Sequence, residues 1–306
     1  MQRTTVFLIS IALLAGCRTT SDMSAARADK PAAVAVLTRN ALVTTKQGDA
    51  RVASIEVHDI FSRGARTRLR VETVAWPAAI LILFAGGKGA MHIAPDGKIG
   101  WGTGNFLIRS RTLFLKRGFS TVVIDAPSDH ADDLRYGFRG SAEHAADIAV
   151  AIRHLRSRYT APIWLVGTSR GTNSVGNAAV RLKQARPDGI VLTSSMLATN
   201  NKGNSLFDYP LENIKIPTLI VHHVDDDCFV TPASEVPRLQ RQLKNARPLR
   251  VMMQTGGTVE GGACGPSGHH GFRRIEDKVV DDIGRWIRNN GAGGSAKARE
   301  TAVGRH

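Results

Sequence analysis

The sequence is poor in cysteine, in aromatic residues and in long apolar runs. It has 306 residues, of which 3 are cysteine and 6% are aromatic. So few cysteines exclude a disulfide-dense miniature scaffold. The spacings H-E-x-x-H and C-x-x-C, by which many zinc sites are recognised, are absent. The sequence therefore predicts a globular domain with its own apolar core and no bound metal or cofactor.

Negative charge is also scarce, and the formal net charge is +15. Such a balance favours contact with anionic surfaces, but the basic residues are scattered rather than gathered in one block. No helix-turn-helix, zinc-finger or aromatic RNA-reading pattern accompanies them. We therefore interpret the charge as a solvated basic surface and predict no nucleic-acid partner.

The N-terminus has the form of an export signal. Arg3 precedes the apolar run 6–15, which is too short to span a bilayer. The run ends in Leu-Ala-Gly-Cys17, which resembles the lipobox of bacterial lipoproteins. That resemblance implies a signal peptide over residues 1–16, acylation of Cys17, and membrane lipid of the bacterial cell envelope as a partner. The alternative is an ordinary signal peptide with a chance cysteine.

Both ends of the chain beyond this signal are rich in small and polar residues. Residues 17–45 show no apolar period and predict a flexible tether. Residues 291–306 predict a disordered tail. The remaining residues, 46–290, are predicted to form a single domain without internal repeats.

Within this domain, short apolar runs alternate with helical periods. Such alternation predicts an α/β fold: a mostly parallel, doubly wound sheet with helices on both faces. Two leading runs joined by a glycine-containing turn add an antiparallel edge. The predicted strands cover residues 51–60, 67–76, 78–87, 119–127, 162–167, 188–195, 216–224 and 248–255, and the predicted helices cover 105–118, 141–159, 168–185, 233–245 and 272–287.

A G-x-S-x-G sequence, Gly167-Thr-Ser169-Arg-Gly171, lies between a predicted strand and a predicted helix. This context favours a sharp turn that exposes a nucleophilic serine; the alternative is a serine that only caps the helix. Over about residues 50–290 the chain resembles the α/β-hydrolase superfamily. The resemblance implies the α/β-hydrolase fold and a catalytic triad in the chain order Ser, acid, His, with Ser169 as nucleophile.

The resemblance places the acid after the strand 216–224. The stretch that follows contains three consecutive aspartates. When the family's spacing is counted forward from His222, the acid falls on Asp226. When it is counted back from Val230, the acid falls on Asp227. We choose Asp226, with Asp227 as the alternative, because one buried carboxylate must hold the imidazole in the right tautomer.

The base should follow the strand 248–255. There, His269 and His270 precede the last predicted helix, and His270 is followed by glycine, as is common in the family. We choose His270 and keep His269 in reserve. A metal site made of His222, His223 and the aspartates is a weaker hypothesis, because neighbouring strand residues point to opposite faces.

The run Ala85-Gly86-Gly87-Lys88 closes a predicted buried strand. The resemblance implies that a backbone N–H of this loop donates a hydrogen bond to the oxyanion, and that the N–H of the residue after the nucleophile donates another. That implies Gly87, with Gly86 or Lys88 as alternatives, and Arg170. The family's usual histidine before the first glycine is Ala85 here.

If Cys17 is lipidated, Cys228 and Cys264 remain, one in the acid loop and one in the base loop. In an exported protein an even pair favours a disulfide; two free thiols are the alternative. Together the residues predict a serine hydrolase that cleaves a small carboxylic ester without a large lid. A peptidase or amidase of the same fold, or a binding module without catalysis, are the alternatives.

Overall fold

The computed structural model describes residues 35–39, 52–134, 137–200 and 204–291. The predicted signal peptide 1–16, the lipidation site Cys17 and all but the first residue of the predicted tail lie outside the described residues, as does most of the predicted tether. No helix within the described ranges is both long and apolar enough to cross a bilayer.

One mixed sheet organises the described chain. Its nine strands have the spatial order β1-β2-β3-β5-β4-β6-β7-β8-β9. The pairs β1–β2, β2–β3 and β3–β5 are antiparallel, and all later pairs are parallel. In chain order the strands are β1 (Ala35–Arg39), β2 (Val52–Ser62), β3 (Ala65–Val74), β4 (Ile80–Phe84), β5 (Ser120–Ile124), β6 (Ile163–Ser169), β7 (Gly189–Ser195), β8 (Thr218–His223) and β9 (Leu249–Gln254).

Strand β1 differs from the sequence analysis. It lies inside the stretch 17–45, which was predicted to be a tether, and it pairs antiparallel with β2. The five residues Ala-Val-Leu-Thr-Arg contain the β-branched types that favour strands. A run this short has too few residues to show a period, so tertiary pairing with the longer β2 decides its structure.

The antiparallel edge depends on a tight hairpin between β2 and β3. Arg63 and Gly64, the two residues between the strands, have φ angles of 55° and 82°. Positive φ at both central positions is the geometry whose twist matches that of two paired strands.

The two faces of the sheet are covered by different helices. Ile80 and Ile82 of β4 belong to a core shared with α2 (Ala142–Arg156), α3 (Gly171–Arg181) and α4 (Val236–Gln242). Leu81 and Leu83 point the other way, into a core shared with α1 (Phe106–Lys116) and α5 (Glu276–Asn290). Burial on both faces explains the unbroken apolar runs of the central strands.

The predicted α/β-hydrolase fold is confirmed in this architecture. The carboxyl ends of parallel strands meet at one edge of a sheet, and in open α/β sheets ligands bind there. The loops after β4, β6, β8 and β9 all leave from that edge, which is where the predicted site residues lie. The connection from β7 to β8 contains two short 3₁₀ helices, Leu206–Asp208 and Leu211–Asn213.

Candidate active site

Ser169 stands at the sharp turn between β6 and α3. Its φ of 52° lies in the left-handed region, which is costly for a residue with a side chain. The flanking glycines are required by space: a Cβ on Gly167 would lie 2.7 Å from the carbonyl oxygen of Gly171, and a Cβ on Gly171 would lie 2.0 Å from that of Phe84. The turn therefore keeps a strained serine at the edge of the sheet.

His270 lies in a 3₁₀ turn, His269–Gly271, and its side chain is buried. It lines the same cavity as Ser169. The hydroxyl of Ser194, at the end of β7, donates a 2.8 Å hydrogen bond to the carbonyl oxygen of His270. This bond ties the loop of His270 to β7, the strand beside that of Ser169, so the histidine is held by its backbone as well as by its ring.

Asp226 lies behind the imidazole, and Asp227 does not. The Oδ2 atom of Asp226 is 3.1 Å from Nδ1 of His270, and its side chain is fully buried. The same oxygen accepts a 3.0 Å hydrogen bond from the hydroxyl of Thr231, and Oδ1 accepts one of 3.1 Å from the N–H of Cys228. Asp227 is exposed. The structure thus distinguishes the two candidate carboxylates: Asp226 contacts His270, and Asp227 is exposed.

The environment of Asp226 favours its ionised form. Burial alone would raise the pKa of Asp226, but hydrogen bonds from His222 and His270 outweigh it and hold this pKa well below the ordinary value. His222 Nε2 donates to the carbonyl oxygen of Thr231 at 2.9 Å and lies 3.3 Å from Asp226 Oδ2. An ionised carboxylate at this position accepts the Nδ1–H of His270 and leaves Nε2 to take up a proton.

His269, the reserve base, is directed elsewhere. Its ring stacks on that of His223, with centroids 4.2 Å apart and planes inclined by 3°. Its Nδ1 is 3.1 Å from the carbonyl oxygen of Asp225. The structure therefore brings His270, and not His269, to the carboxylate of Asp226.

Two groups among the described residues have ligand atoms close enough for a metal ion. One is His223, Asp225 and His269. In it, His223 uses both ring nitrogens, one toward the Gly256 oxygen and one toward the Asp225 N–H, and the in-plane lone pairs of two stacked rings do not converge. In the other group, Asp226, Cys228 and His270, the cysteine sulfur is bonded to Cys264 and is no thiolate.

The cavity beside Ser169 has a volume of about 420 Å³. Glycine backbone and apolar side chains form most of its wall, and the indole of Trp101 is partly exposed at it. Polar groups at the wall are few, as in small-molecule sites that bind through shape and a few directed hydrogen bonds. The lining residues are Gly86, Gly87, Trp101, Gly102, Thr103, Gly104, Asn105, Phe106, Thr168, Ser169, Cys264, Pro266, His270 and Gly271.

Of the predicted oxyanion residues, Gly87 lines the cavity in a left-handed conformation, with φ of 60°. A Cβ on Gly86 would lie 2.9 Å from Cβ of Ser169, so this backbone passes directly beside Ser169. Arg170 is the N-cap residue of α3, where backbone N–H groups and the helix dipole attract negative charge. Lys88 is exposed.

The loop carrying these glycines is held by a buried arginine that the sequence analysis missed. Arg139 is 4% exposed and donates to the carbonyl oxygen of Ala85 at 3.1 Å and to the hydroxyl of Ser174 at 2.9 Å. Burial, together with the positive charge of Arg170, lowers the pKa of Arg139 to about 9. No sequence signal marks Arg139, because it lies far along the chain from the loop that it holds.

A disulfide joins the acid and base loops. Cys228 and Cys264 are bonded, with Cα atoms 4.6 Å apart and a sequence separation of 36. Cys264 lines the cavity, and Cys228 donates its N–H to Asp226. The predicted disulfide is therefore present, and it lies next to the carboxylate and the imidazole.

No family model matches the sequence, and no curated protein matches it. Solved structures do match, at low sequence identity. An esterase of Pyrococcus furiosus is 12% identical over 82% of this chain and 98% of its own, with a TM-score of 0.56. A cold-adapted esterase from an Arctic intertidal metagenomic library is 15% identical over 78% and 96%, with a TM-score of 0.53.

An α/β serine hydrolase without a lid, from Xanthomonas campestris, is 13% identical over 78% of this chain and 95% of its own, with a TM-score of 0.52. The fold therefore has the form of the α/β hydrolases. At these identities the likeness establishes the fold of the chain and not its substrate.

Proposed function

We propose that the protein is a serine hydrolase that cleaves a small carboxylic ester through an acyl-enzyme on Ser169. One observation carries the proposal. A serine in a strained turn shares a cavity with a buried histidine, and an ionised carboxylate lies behind that histidine. The likeness in fold to esterases agrees with it.

In the proposed reaction, the Ser169 hydroxyl oxygen attacks the ester carbonyl carbon while Nε2 of His270 takes up its proton. Asp226 accepts the Nδ1–H and stabilises the imidazolium. The carbonyl oxygen becomes an oxyanion that accepts from the backbone N–H groups of Gly87 and Arg170. His270 then protonates the departing alkoxide, and an alcohol leaves. Water repeats the sequence on the acyl-enzyme, which releases the acid and restores Ser169.

The cavity supports a small acyl group rather than a long chain. Its volume of about 420 Å³ lies at the lower end of the range for small-molecule sites. Its wall combines the indole of Trp101 with Pro266 and Phe106, which suit an apolar acyl or alcohol group. The chemistry needs no metal or cofactor, since every group in the proposed steps belongs to the chain.

The test uses a fluorophosphonate probe and a panel of p-nitrophenyl esters and peptide p-nitroanilides. We expect the unaltered chain to be labelled at Ser169 and to hydrolyse short esters. Ser169→Ala should lose both labelling and turnover while its thermal unfolding stays unchanged. Turnover of the anilides in preference to the esters would assign an amidase instead. A folded chain without labelling and without turnover would identify a binding module.

We further propose that acylation of Cys17 anchors the domain to a membrane of the bacterial cell envelope. The support is the Leu-Ala-Gly-Cys17 sequence after a short apolar run. Two or three acyl chains suffice for stable anchoring, whereas one gives only reversible binding. The basic surface of the chain would then lie near anionic headgroups.

A further inference from the structure

Asn105, at the start of α1, presents its side-chain amide in one orientation. Its Oδ1 accepts a 3.1 Å hydrogen bond from the N–H of Leu107, as an N-cap residue does. Because a backbone N–H is only a donor, the atom facing it must be the amide oxygen. The cap therefore assigns the other end of the amide as the NH₂ group.

That NH₂ group lies at the cavity. Asn105 is one of its lining residues, together with Ser169 and His270. A Cβ added to Gly86 would lie 3.5 Å from Nδ2 of Asn105 and 2.9 Å from Cβ of Ser169. The amide nitrogen and the nucleophile therefore flank the same point of the oxyanion loop.

Nδ2 of Asn105 donates to no acceptor in the part of the chain that the structure describes. The residue is half-buried and lines the cavity, so this donor faces the space that a ligand would occupy. An ester bound in the cavity would supply the acceptor that this donor lacks among the described residues. The group that gains acceptor strength during acyl transfer is the carbonyl oxygen, since it acquires a full negative charge.

We propose that Asn105 is a further catalytic residue, whose Nδ2–H donates a hydrogen bond to the oxyanion beside the backbone donors. The inference rests on the proposed serine hydrolase chemistry. A side-chain amide adds a donor that is already oriented by its own cap, and the N-terminus of the 11-residue helix α1 adds favourable partial charge.

Two substitutions separate the donor from the cap. Asn105→Ser and Asn105→Asp both keep a strong N-cap acceptor, but both lose the amide donor. Loss of one oxyanion donor lowers kcat by about 10²- to 10³-fold in a serine hydrolase. For hydrolysis of p-nitrophenyl acetate by the full chain, we expect a fall of about 10²-fold in kcat for Asn105→Ser, with KM nearly unchanged. Asn105→Asp should fall further, because a carboxylate repels the oxyanion.

The inhibition constant of a tetrahedral analogue distinguishes a catalytic from a structural role, because a purely structural role of Asn105 would leave it unchanged. A trifluoromethyl ketone adds to the nucleophilic serine and places an oxyanion in the same position. Its inhibition constant should rise for Asn105→Ser by about the factor by which kcat falls. Thermal unfolding of Asn105→Ser should match that of the unaltered chain.

Ser141→Ala is the matched control. Ser141 caps α2 by accepting from the N–H of His144 at 3.0 Å, and it does not line the cavity. It should lower the melting temperature and leave kcat unchanged, which shows that loss of a helix cap does not by itself slow the reaction.

The outcomes are distinct. Full kcat in Asn105→Ser, or lost kcat with an unchanged inhibition constant, overturns the role of Asn105 in a chain that the fluorophosphonate probe still labels. Failure of the unaltered chain to be labelled overturns the proposed function itself.

Discussion

Nδ1 of His270 lies 3.1 Å from Oδ2 of Asp226, and the hydroxyl of Thr231 lies 3.1 Å from the same nitrogen and 3.0 Å from the same oxygen. The three side chains form a closed, buried triangle. A buried network of this kind is stable only while every member has its partner. The imidazole is thus oriented by two groups rather than by the carboxylate alone.

The first prediction follows from this geometry. Asp226→Asn should lower kcat for p-nitrophenyl acetate by about 10⁴-fold, because an amide in this position stabilises the wrong imidazole tautomer. Asp227→Asn is the matched control, since its carboxylate is one residue away but exposed, and it should leave kcat unchanged. Equal and mild losses in both variants would mean that another residue is the acid.

The second prediction concerns the disulfide. Cys264→Ser should destabilise the fold by about 2–4 kcal/mol, because the bridge closes a loop of moderate length, and it should also lower turnover, since the bridge joins the loops of Asp226 and His270. Cys228→Ser should have the same effect, and the double substitution should add little. Thiol titration of unfolded, unreduced Cys17→Ser protein should detect no free thiol; detection of two would contradict the bridge.

The third prediction is a loss of stability in mild acid. Burial, reinforced by the positive charge of Arg139, lowers the pKa of His144 to about 3. In the unfolded chain His144 therefore binds a proton near pH 6.5, whereas in the folded chain it binds one only near pH 3. The free energy of unfolding should fall steadily as the pH drops through that window.

Urea unfolding at several pH values from 7.5 to 4 measures this slope. His144→Gln should flatten it, because glutamine does not titrate. His92→Gln serves as the control on an exposed histidine and should leave the slope unchanged. A slope unaffected by His144→Gln would place the acid-sensitive group elsewhere, and His154, whose pKa burial lowers to about 4, would be the next to test.

The fourth prediction tests the arginine that holds the oxyanion loop. Arg139→Met keeps much of the apolar volume but leaves the Ala85 carbonyl without its donor, whereas the Ser174 hydroxyl keeps a partner in Nε2 of His144 at 2.9 Å. Each buried polar group without a partner costs about 1–3 kcal/mol. We expect a lower melting temperature and lower kcat together, whereas Arg285→Met on the exposed face of α5 should change neither. Unchanged kcat in a folded Arg139→Met chain would show that the loop keeps its shape unaided.

The fifth prediction concerns the anchor. Cys17→Ser should move the protein from the membrane fraction to the soluble fraction, or leave the signal peptide uncleaved, because the acyl chains supply the binding. Fractionation of cells and the mass of the purified chain measure both effects. A processed variant that stays in the membrane fraction would contradict lipidation at Cys17.

Much of the fold is predictable because it depends on local patterns. The unbroken apolar runs of β4, β5, β7 and β8 indicate strands covered on both faces, and the glycines around Ser169 indicate the sharp turn. Boundaries are less predictable. The last helix was expected from Phe272 and begins at Glu276, because Phe272 and Arg274 adopt left-handed φ angles of 56° and 71°. No helical period reveals such a backbone change.

The candidate site is likewise predictable in part. Sequence order alone assigned Ser169, the pair of candidate acids and the pair of candidate bases, since the order of strands determines which loops reach the catalytic edge. Only the tertiary structure shows that Asp226 and His270 are in contact, whereas Asp227 is exposed and His269 stacks on His223. Neighbouring residues share their chemistry and differ only in burial and direction, which depend on the surrounding chain.

The supporting residues had no sequence signal. Thr231, His222, Arg139 and Asn105 act on groups that other segments supply, at separations of up to tens of residues. Their roles arise when the sheet brings the loops after β4, β6, β8 and β9 to one edge. The sequence by itself thus determined the fold and the reactive residue types, while tertiary packing decided which individual side chains hold and orient them. Hydrogen bonds require distances and angles that only the folded backbone sets.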